Sequence, residues 1–377
     1  MYQPKFTITN DILKNIGIVE AAKEVIDNAP LVPAWEKKFR EEAMVRTVHY
    51  GTHLEGNELS FSEAEKVLEG QKIVAKDRDI QEVINYRKVI KYLDELVPNE
   101  EPATPASAKA TAGRQKAQKE AESIEKPYTE AMLKKIHFLT CYRIIPKDQA
   151  GKFRQTQVVL RNSQTGEVAF KPPPSAQVPA LVSDFLGWLN SESGKSIHPV
   201  MRAGITHYAL AAIHPFVEGN GRTARAFATL ILFSEGYDIK KFFSLEEYFD
   251  KDAPSYYSAL MQVSNQSENL SQRDLTPWIE YFAKALALEL TRIKERVRKL
   301  SLDLKIKGRL GRQIALSERQ MKLVEYLEEY KEITVPQARQ ILQMVSDDTI
   351  LRDLKDLVKK KIIKKEGKTK AAKYVMK

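Results

Sequence analysis

The sequence predicts a mostly α protein with one small β-hairpin and a C-terminal β-wing. Apolar residues recur at three- and four-residue spacing through most of the 377 residues. Two short strand-like runs, 157–160 and 168–170, flank the turn 162–166, and prolines 172–174 close them off. Near the end, Ile362 with Ile363 and Tyr374 with Val375 make two more short strands about Gly367.

A chain of this length holds two or three domains and a sizeable core. Composition divides it into a helical region 1–99, a low-complexity insert 100–126, a core 127–290, a basic linker 291–316 and a last unit 317–377. A single cysteine, Cys141, excludes an internal disulfide and fits a reducing cytoplasm. Charges at Lys14, Glu20 and Lys23 break any signal-peptide run, and no stretch approaches the ~20 apolar residues of a membrane span. The net charge of +10 is uneven: residues 351–377 carry 11 Lys and Arg against 3 Asp and Glu. Overall basicity therefore says little about the centre of the chain.

Taken in order, residues 1–30, with Pro4 and several β-branched side chains, read as a loose wrap. A helix is expected over 33–50. Ser60 with Glu63 forms a capping box that opens a short helix to Glu69. Residues 79–96 form an amphipathic helix with Val83, Tyr86, Val89, Ile90 and Leu93 on one face. The Ala-, Lys- and Glu-rich insert 100–126 has one large apolar residue, Ile124, and cannot bury a core. Helices resume from Tyr128, with Met132, Ile136 and Leu139 inward, and over 178–189, with Leu181, Phe185 and Trp188 inward. A further helix, 201–213, carries a core histidine, His207.

That helix delivers the most unusual stretch of the chain, His214 to Arg225, HPFVEGNGRTAR. Apolar helical runs lie on both sides, so it reads as a loop entering a helix near Gly221. A glycine turn at a helix N-terminus offers free backbone N–H groups and the positive end of the dipole, which suits a phosphate. His214 titrates near neutral pH and suits general-base work. Glu218 is a hard oxygen ligand of the kind that holds Mg2+ beside phosphates. Gly219 and Gly221 let backbone approach an anion. Asn220 can donate and accept there, and Arg222 and Arg225 share a helix face with planar forks suited to phosphate oxygens.

HPFVEGNGRTAR resembles the signature of Fic proteins, HPFx(D/E)GNGRxxR, at every fixed position. The resemblance covers about residues 33–286 apart from the insert, and makes 127–290 a Fic-type catalytic core. It implies transfer of AMP from ATP to a Tyr, Thr or Ser hydroxyl of a target protein, or of the chain itself. His214 would take the proton and Glu218 would hold Mg2+ against the α- and β-phosphates. Gly219, Asn220 and Gly221 would cradle the phosphates, and Arg222 and Arg225 would bind the outer ones. Upstream, THLEGN resembles the family's inhibitory element, (S/T)xxxE(G/N), whose glutamate pairs with the second motif arginine; here these are Glu55 and Arg225. The residue four before Glu55 is Gly51 rather than Ser or Thr, and Thr52 comes one later. The 157–170 hairpin resembles the Fic flap, which registers a target by strand addition. Val168, Ala169, Phe170 and Lys171 would line that groove. Tyr257 and Asn265, in a YYxxL segment with a later Asn, resemble the part that covers adenine.

Residues 275–299 read as a long helix and 301–312 as a basic, glycine-interrupted linker. The last unit has helices over 318–330, 334–342 and 346–360 and the two short strands, and resembles a winged helix-turn-helix. DNA would meet helix 346–360 in a major groove, with Lys359, Lys360, Lys361, Lys364, Lys365 and Lys368 on phosphates. Asp347 and Asp348 stand where such a helix meets bases, so docking on protein, including a homodimer, stays open. Two other readings stand beside AMP transfer. One is a different Fic reaction, with another nucleotide or with Glu55-assisted water removing AMP. The other is a nucleotide-sensing DNA-binding regulator. No membrane partner is expected.

Overall fold

The computed structural model describes residues 2–29, 31, 33–97, 127–161, 166–310, 316–342, 345–367 and 372–377. The insert 100–126, the turn residues 162–165 and Lys368 lie outside them. The chain packs as two compact units, 1–24 with 36–291, and 25–35 with 292–377.

Helices α1 (Asn10–Asp27), α2 (Pro33–His53), α3 (Phe61–Leu68) and α4 (Asp77–Leu96) come first. Then follow α5 (Glu130–Thr140), strands β1 (Leu160–Arg161) and β2 (Val168–Phe170), and α6 (Val178–Leu189). Next are α7 (Glu192–Lys195), α8 (Pro199–Ile213) and α9 (Asn220–Ser234). Helices α10 (Leu245–Lys251), α11 (Ala253–Ser264) and α12 (Thr276–Leu310) complete the run.

Local chemistry sets several of these ends. The Ser60 hydroxyl and the Glu63 carboxylate cap α3 reciprocally. The Thr129 side chain accepts from the Met132 N–H at the start of α5. Pro199 opens α8, where a missing N–H costs nothing. Helices α8 and α9 pack on each other and are buried on nearly every side. That is why the motif between them reads as two apolar runs rather than two amphipathic faces. The predicted face of α4 is buried throughout, from Val83 to Leu93.

The structure departs from the sequence reading in five places. Residues 10–27 are helix α1, not a loose wrap: Ile12, Val19 and Ala22 are fully buried at helical spacing, and packing overrides the β-branched character of Ile12 and Val19. In α5 the inward face is turned by one residue, burying Leu133, Ile136, His137 and Thr140 while Met132 and Leu139 are half-buried. In the hairpin, among the described residues, Leu160 and Arg161 alone pair, Leu160 opposite Phe170 and Arg161 opposite Val168. The stretch 301–310, expected as linker, continues α12, whose Lys- and Leu-rich sequence outweighs the glycine. The last unit contains α13 (Glu318–Tyr330), β3 (Glu332–Thr334), α14 (Val335–Ile341), α15 (Asp347–Lys359), β4 (Ile363–Glu366) and β5 (Lys373–Met376). The sequence reading lacked β3, which pairs with β5 in a sheet ordered β3-β5-β4. Three residues between two helices show no alternation to read.

The three helices and wing of this unit enclose Leu327, Ile333, Ile350, Leu354 and Leu357. Arg319 Nε is 2.8 Å from Asp353 Oδ2 and ties α13 to α15. Arg352, Lys355 and Lys359 are exposed along one stripe of α15, with Asp347 and Asp348 exposed at its start.

Candidate active site

The loop 214–219 joins two buried helices, so its geometry is fixed at both ends. His214 caps α8 in left-handed backbone, φ 51° and ψ 60°, and its N–H still reaches the Leu210 carbonyl at 3.0 Å. His214 Nδ1 lies 3.3 Å from the Ala211 carbonyl, so that nitrogen carries the proton and Nε2 is left as the base. Burial pushes the ring down to about 4, against smaller upward pulls from the Ala211 contact and Glu55.

The turn is closed on itself. The Phe216 N–H donates to Asn220 Oδ1 at 2.9 Å, and Asn220 Nδ2 donates to the Phe216 carbonyl at 2.9 Å. The Asn220 amide is therefore occupied in holding the loop; what the residue offers an anion is its backbone N–H. Gly219 precedes α9 at φ 72°, where any Cβ would overlap Cys141 Sγ. The first backbone bond of α9 runs from the Thr223 N–H to the Gly219 carbonyl. The N–H groups of Asn220, Gly221 and Arg222 thus precede the helical ladder, at the helix end where anions are commonly received.

Both arginines are buried, each 2% exposed. Arg222 stands with Nη1 3.1 Å from Glu82 Oε1 but without hydrogen-bond alignment, and its Nε and Nη1 have no hydrogen-bond partner. A buried guanidinium with open donors is costly unless something anionic completes it. Arg225 is held from the turn after α2: Nη1 donates to Glu55 Oε1 at 2.9 Å and Nη2 to the Gly51 carbonyl at 2.9 Å, while its Nε has no hydrogen-bond partner among the described residues. Burial opposes charge on Glu55, but Arg225 and Arg222 more than offset it and hold the carboxyl below its ordinary value. The same carboxylate lies over Gly221, where an added Cβ would overlap Glu55 Oε1. The Glu55 carboxylate thus stands against the first turn of α9, between Gly221 and Arg225.

Glu55 is placed by the end of α2. Its N–H and that of Asn57 both donate to the Thr52 carbonyl, at 3.0 and 3.3 Å. The Thr52 hydroxyl is turned back on its own helix, toward the Val48 and His49 carbonyls. Gly51 replaces the family's hydroxyl with a close approach: any Cβ there would overlap Tyr86, whose hydroxyl donates to Glu246 Oε1 at 3.0 Å. Asn57 Nδ2 donates to Glu82 Oε2 at 3.0 Å, so the turn is tied to Glu82 beside Arg222. Tyr257, 44% exposed on α11, donates its hydroxyl to the Leu54 carbonyl at 3.0 Å. Its ring therefore stands at the turn that carries Glu55, whereas Asn265 is exposed at the C-cap of the same helix.

Glu218 places a third carboxylate at the turn, beside those of Glu55 and Glu82. Its carbonyl is held by His137 Nε2 at 2.9 Å, and His137 stacks on Phe216 with centroids 3.7 Å apart. Its carboxylate is bonded by Arg78 and lies 3.8 Å from Arg222 Nη2. No three His, Cys, Asp or Glu side chains cluster as a metal centre among the described residues. Glu218 beside that helix end fits a Mg2+ that arrives on phosphates, since that ion takes few protein ligands. In the flap, Val168 is half exposed, Lys171 is exposed, and the Phe170 ring lies 5.9 Å from the Arg273 guanidinium. Ala169 lies in β2 between them.

His207 is fully buried as a core histidine. Its Nε2 lies 3.1 Å from the Tyr256 hydroxyl and its ring stacks on Trp278, while Nδ1 has no partner. The sequence reading missed Arg78, Glu82, His137 and Arg154. Each is a lone polar residue in an ordinary helix or loop, and no spacing ties it to the motif. Only Asn57 had a signal, as part of THLEGN.

The profile of the Fic/DOC family matches residues 127–232, and that of the DeoR-like helix-turn-helix domain matches residues 319–367. A protein adenylyltransferase Fic of Culex quinquefasciatus is 25% identical over 273 residues, 72% of this chain and 45% of its own length. The protein adenylyltransferase fic-1 of Caenorhabditis elegans is 34% identical over 136 residues, 36% of this chain and 23% of its own. The chain spans less than half the length of these curated relatives. A Fic family protein of Desulfovibrio desulfuricans has the same fold, with TM-score 0.58 and 22% identity over 100% of this chain and 98% of that one. Fic-1 residues 134–508 of C. elegans give TM-score 0.54 and 24% identity over 74% of this chain and 70% of that one. With the motif seated between α8 and α9 and three helices and a wing at the end, the chain carries a Fic/DOC-family domain followed by a DeoR-like helix-turn-helix domain.

Proposed function

We propose that this protein transfers AMP from ATP to a Tyr, Thr or Ser hydroxyl of a target protein, or of itself, and is held inactive by Glu55. The observation that carries the reading is the placing of the Glu55 carboxylate on Gly221 and Arg225. A carboxylate there stands in for a phosphate oxygen. Where it sits, the outermost phosphate of ATP cannot.

With Glu55 withdrawn, the N–H groups of Asn220, Gly221 and Arg222 and the open donors of Arg222 would receive the phosphates. Arg225 would exchange Glu55 for the outer phosphate. Glu218, released from Arg78, would hold Mg2+, which when bound neutralises charge on the phosphates. His214 Nε2 would take the proton of the acceptor hydroxyl as its oxygen attacks the α-phosphorus in line and pyrophosphate leaves. Alignment and fixed charge supply most of the rate in such a transfer. The flap edges, with Val159, Leu160 and Val168 partly exposed, suit an extended target segment added as a strand. Tyr257 borders the turn where a base would stack. The single free cysteine, Cys141, is buried and fits a reducing compartment such as the cytoplasm. Among the described residues no helix is long and apolar enough to cross a membrane.

Labelled ATP with Mg2+ tests this. Glu55→Gly should raise incorporation by at least about tenfold, a change of ~1.4 kcal/mol in barrier. His214→Ala in that background should abolish it. Equal incorporation with and without Glu55, or label that survives loss of His214, would sink the reading.

A second reading is favoured by the cationic stripe of Arg352, Lys355 and Lys359 on α15. On it, the last unit binds DNA and the Fic domain reports nucleotide to it.

A further inference from the structure

We propose that Arg154 is the positioning residue that couples the flap to His214, so that a target strand docked on the hairpin meets an aligned base. The inference rests on the transfer reading above. His214 is a non-glycine residue at φ 51° and ψ 60°, directly before Pro215. Left-handed backbone costs such a residue about 1–3 kcal/mol, and a following proline narrows its choices further. The conformation persists only where neighbours determine it.

Arg154 supplies that restraint from a single residue. Its backbone N–H donates to the Pro215 carbonyl at 2.9 Å, and its Nε donates to the His214 carbonyl at 2.8 Å. The far edge of the same guanidinium reaches the two legs of the flap. Nη1 donates to the Thr156 carbonyl at 3.2 Å, just before β1, and Nη2 donates to the Pro173 carbonyl, just after β2. One rigid plane therefore touches both legs of the hairpin and the carbonyl of the catalytic histidine.

Arg154 is 2% exposed, and among the described residues its hydrogen-bond partners are backbone carbonyls, with no carboxylate. A buried guanidinium without a counter-ion is an expensive choice for packing alone. The fork earns its place by geometry, since five donors in a fixed plane can span carbonyls that a lysine cannot. A shift of either flap leg tilts the plane and moves the His214 carbonyl with it. Substrate on the flap and base on the loop thus share one lever.

The test uses the full chain in the Glu55→Gly background, whose own nucleotide transfer is measured first. If that parent is inactive, the catalytic reading has failed rather than this one. Arg154→Gln and Arg154→Lys are then compared with it by steady-state kinetics and hydrogen exchange. The expected result is a fall in kcat of about 100-fold for Gln and about tenfold for Lys, with KM for ATP within about twofold. Amides of residues 214–217 should exchange faster in both variants while those of α8 keep parent protection. Parent-like kcat in Arg154→Lys and Arg154→Gln would overturn the proposal. So would a loss of kcat matched by weaker ATP binding or by general exposure of α8, because Arg154 would then only hold the fold. If Arg154→Gln does not fold, Arg154→Lys decides by the same two readouts.

Discussion

His214 illustrates how place alters a side chain. A free imidazole would be half protonated near pH 6.5, but burial holds this ring down to about 4. The base form is then present at and above mildly acid pH, and is lost only as pH falls through the folded value. In the Glu55→Gly protein the upward pull of Glu55 is gone, so the shift should deepen. Transfer at pH 5.5 should match that at pH 7.5 to within about twofold. An unshifted imidazole would leave about a tenth of the rate, and a pH–rate series that finds such a drop would show the open site is wetter than this one. At this scale the sequence told which residue types gather at the turn, because chemistry-bearing residues lie within twelve positions. It did not tell that the Asn220 amide is consumed by the loop, nor that Arg222 keeps open donors at Nε and Nη1 while Arg225 is bonded at both Nη1 and Nη2. The first is a pair of bonds to Phe216 within the loop, and the second follows from partners that arrive from α2 and α4, distant in sequence.

The end of α2 shows the same at the scale of an element. Gly51 departs from the hydroxyl of the family pattern, and the structure gives the reason: the Tyr86 ring fills the space a Cβ would need, and the Gly51 carbonyl takes over the grip on Arg225. Gly to Ala within a helix ordinarily stabilises by about 0.5–1 kcal/mol. Overpacking costs about 1–3 kcal/mol, so the clash should win. Gly51→Ala is expected to lower the melting temperature and, by loosening the Arg225 contact, to raise nucleotide transfer with Glu55 intact. A higher melting temperature with unchanged transfer would show that Tyr86 simply moves aside. Long helices such as α4 and α6 were legible from periodicity, because one face of each meets the core, and α9 from an apolar run buried on nearly every side. Helix α1 and strand β3 were not. The first hides behind β-branched residues, and the second is three residues long with only Ile333 buried.

Across the whole molecule charge is concentrated where the C-terminal unit ends, and the stripe of Arg352, Lys355 and Lys359 lies on α15. If that stripe meets phosphates, replacing all three with Ala should weaken retention of duplex DNA and reduce its salt dependence by about three counterions. His214→Ala should leave retention unchanged. Retention that ignores salt, or survives the triple substitution, would assign the stripe to solvent or to protein. The Glu55 carboxylate resting over Gly221 has a wider consequence. If Glu55 plugs the site as proposed, the waiting protein would consume none of the cell's nucleotide. The size of its response would then be set by how many copies have been unplugged, and hardly at all by swings in energy supply.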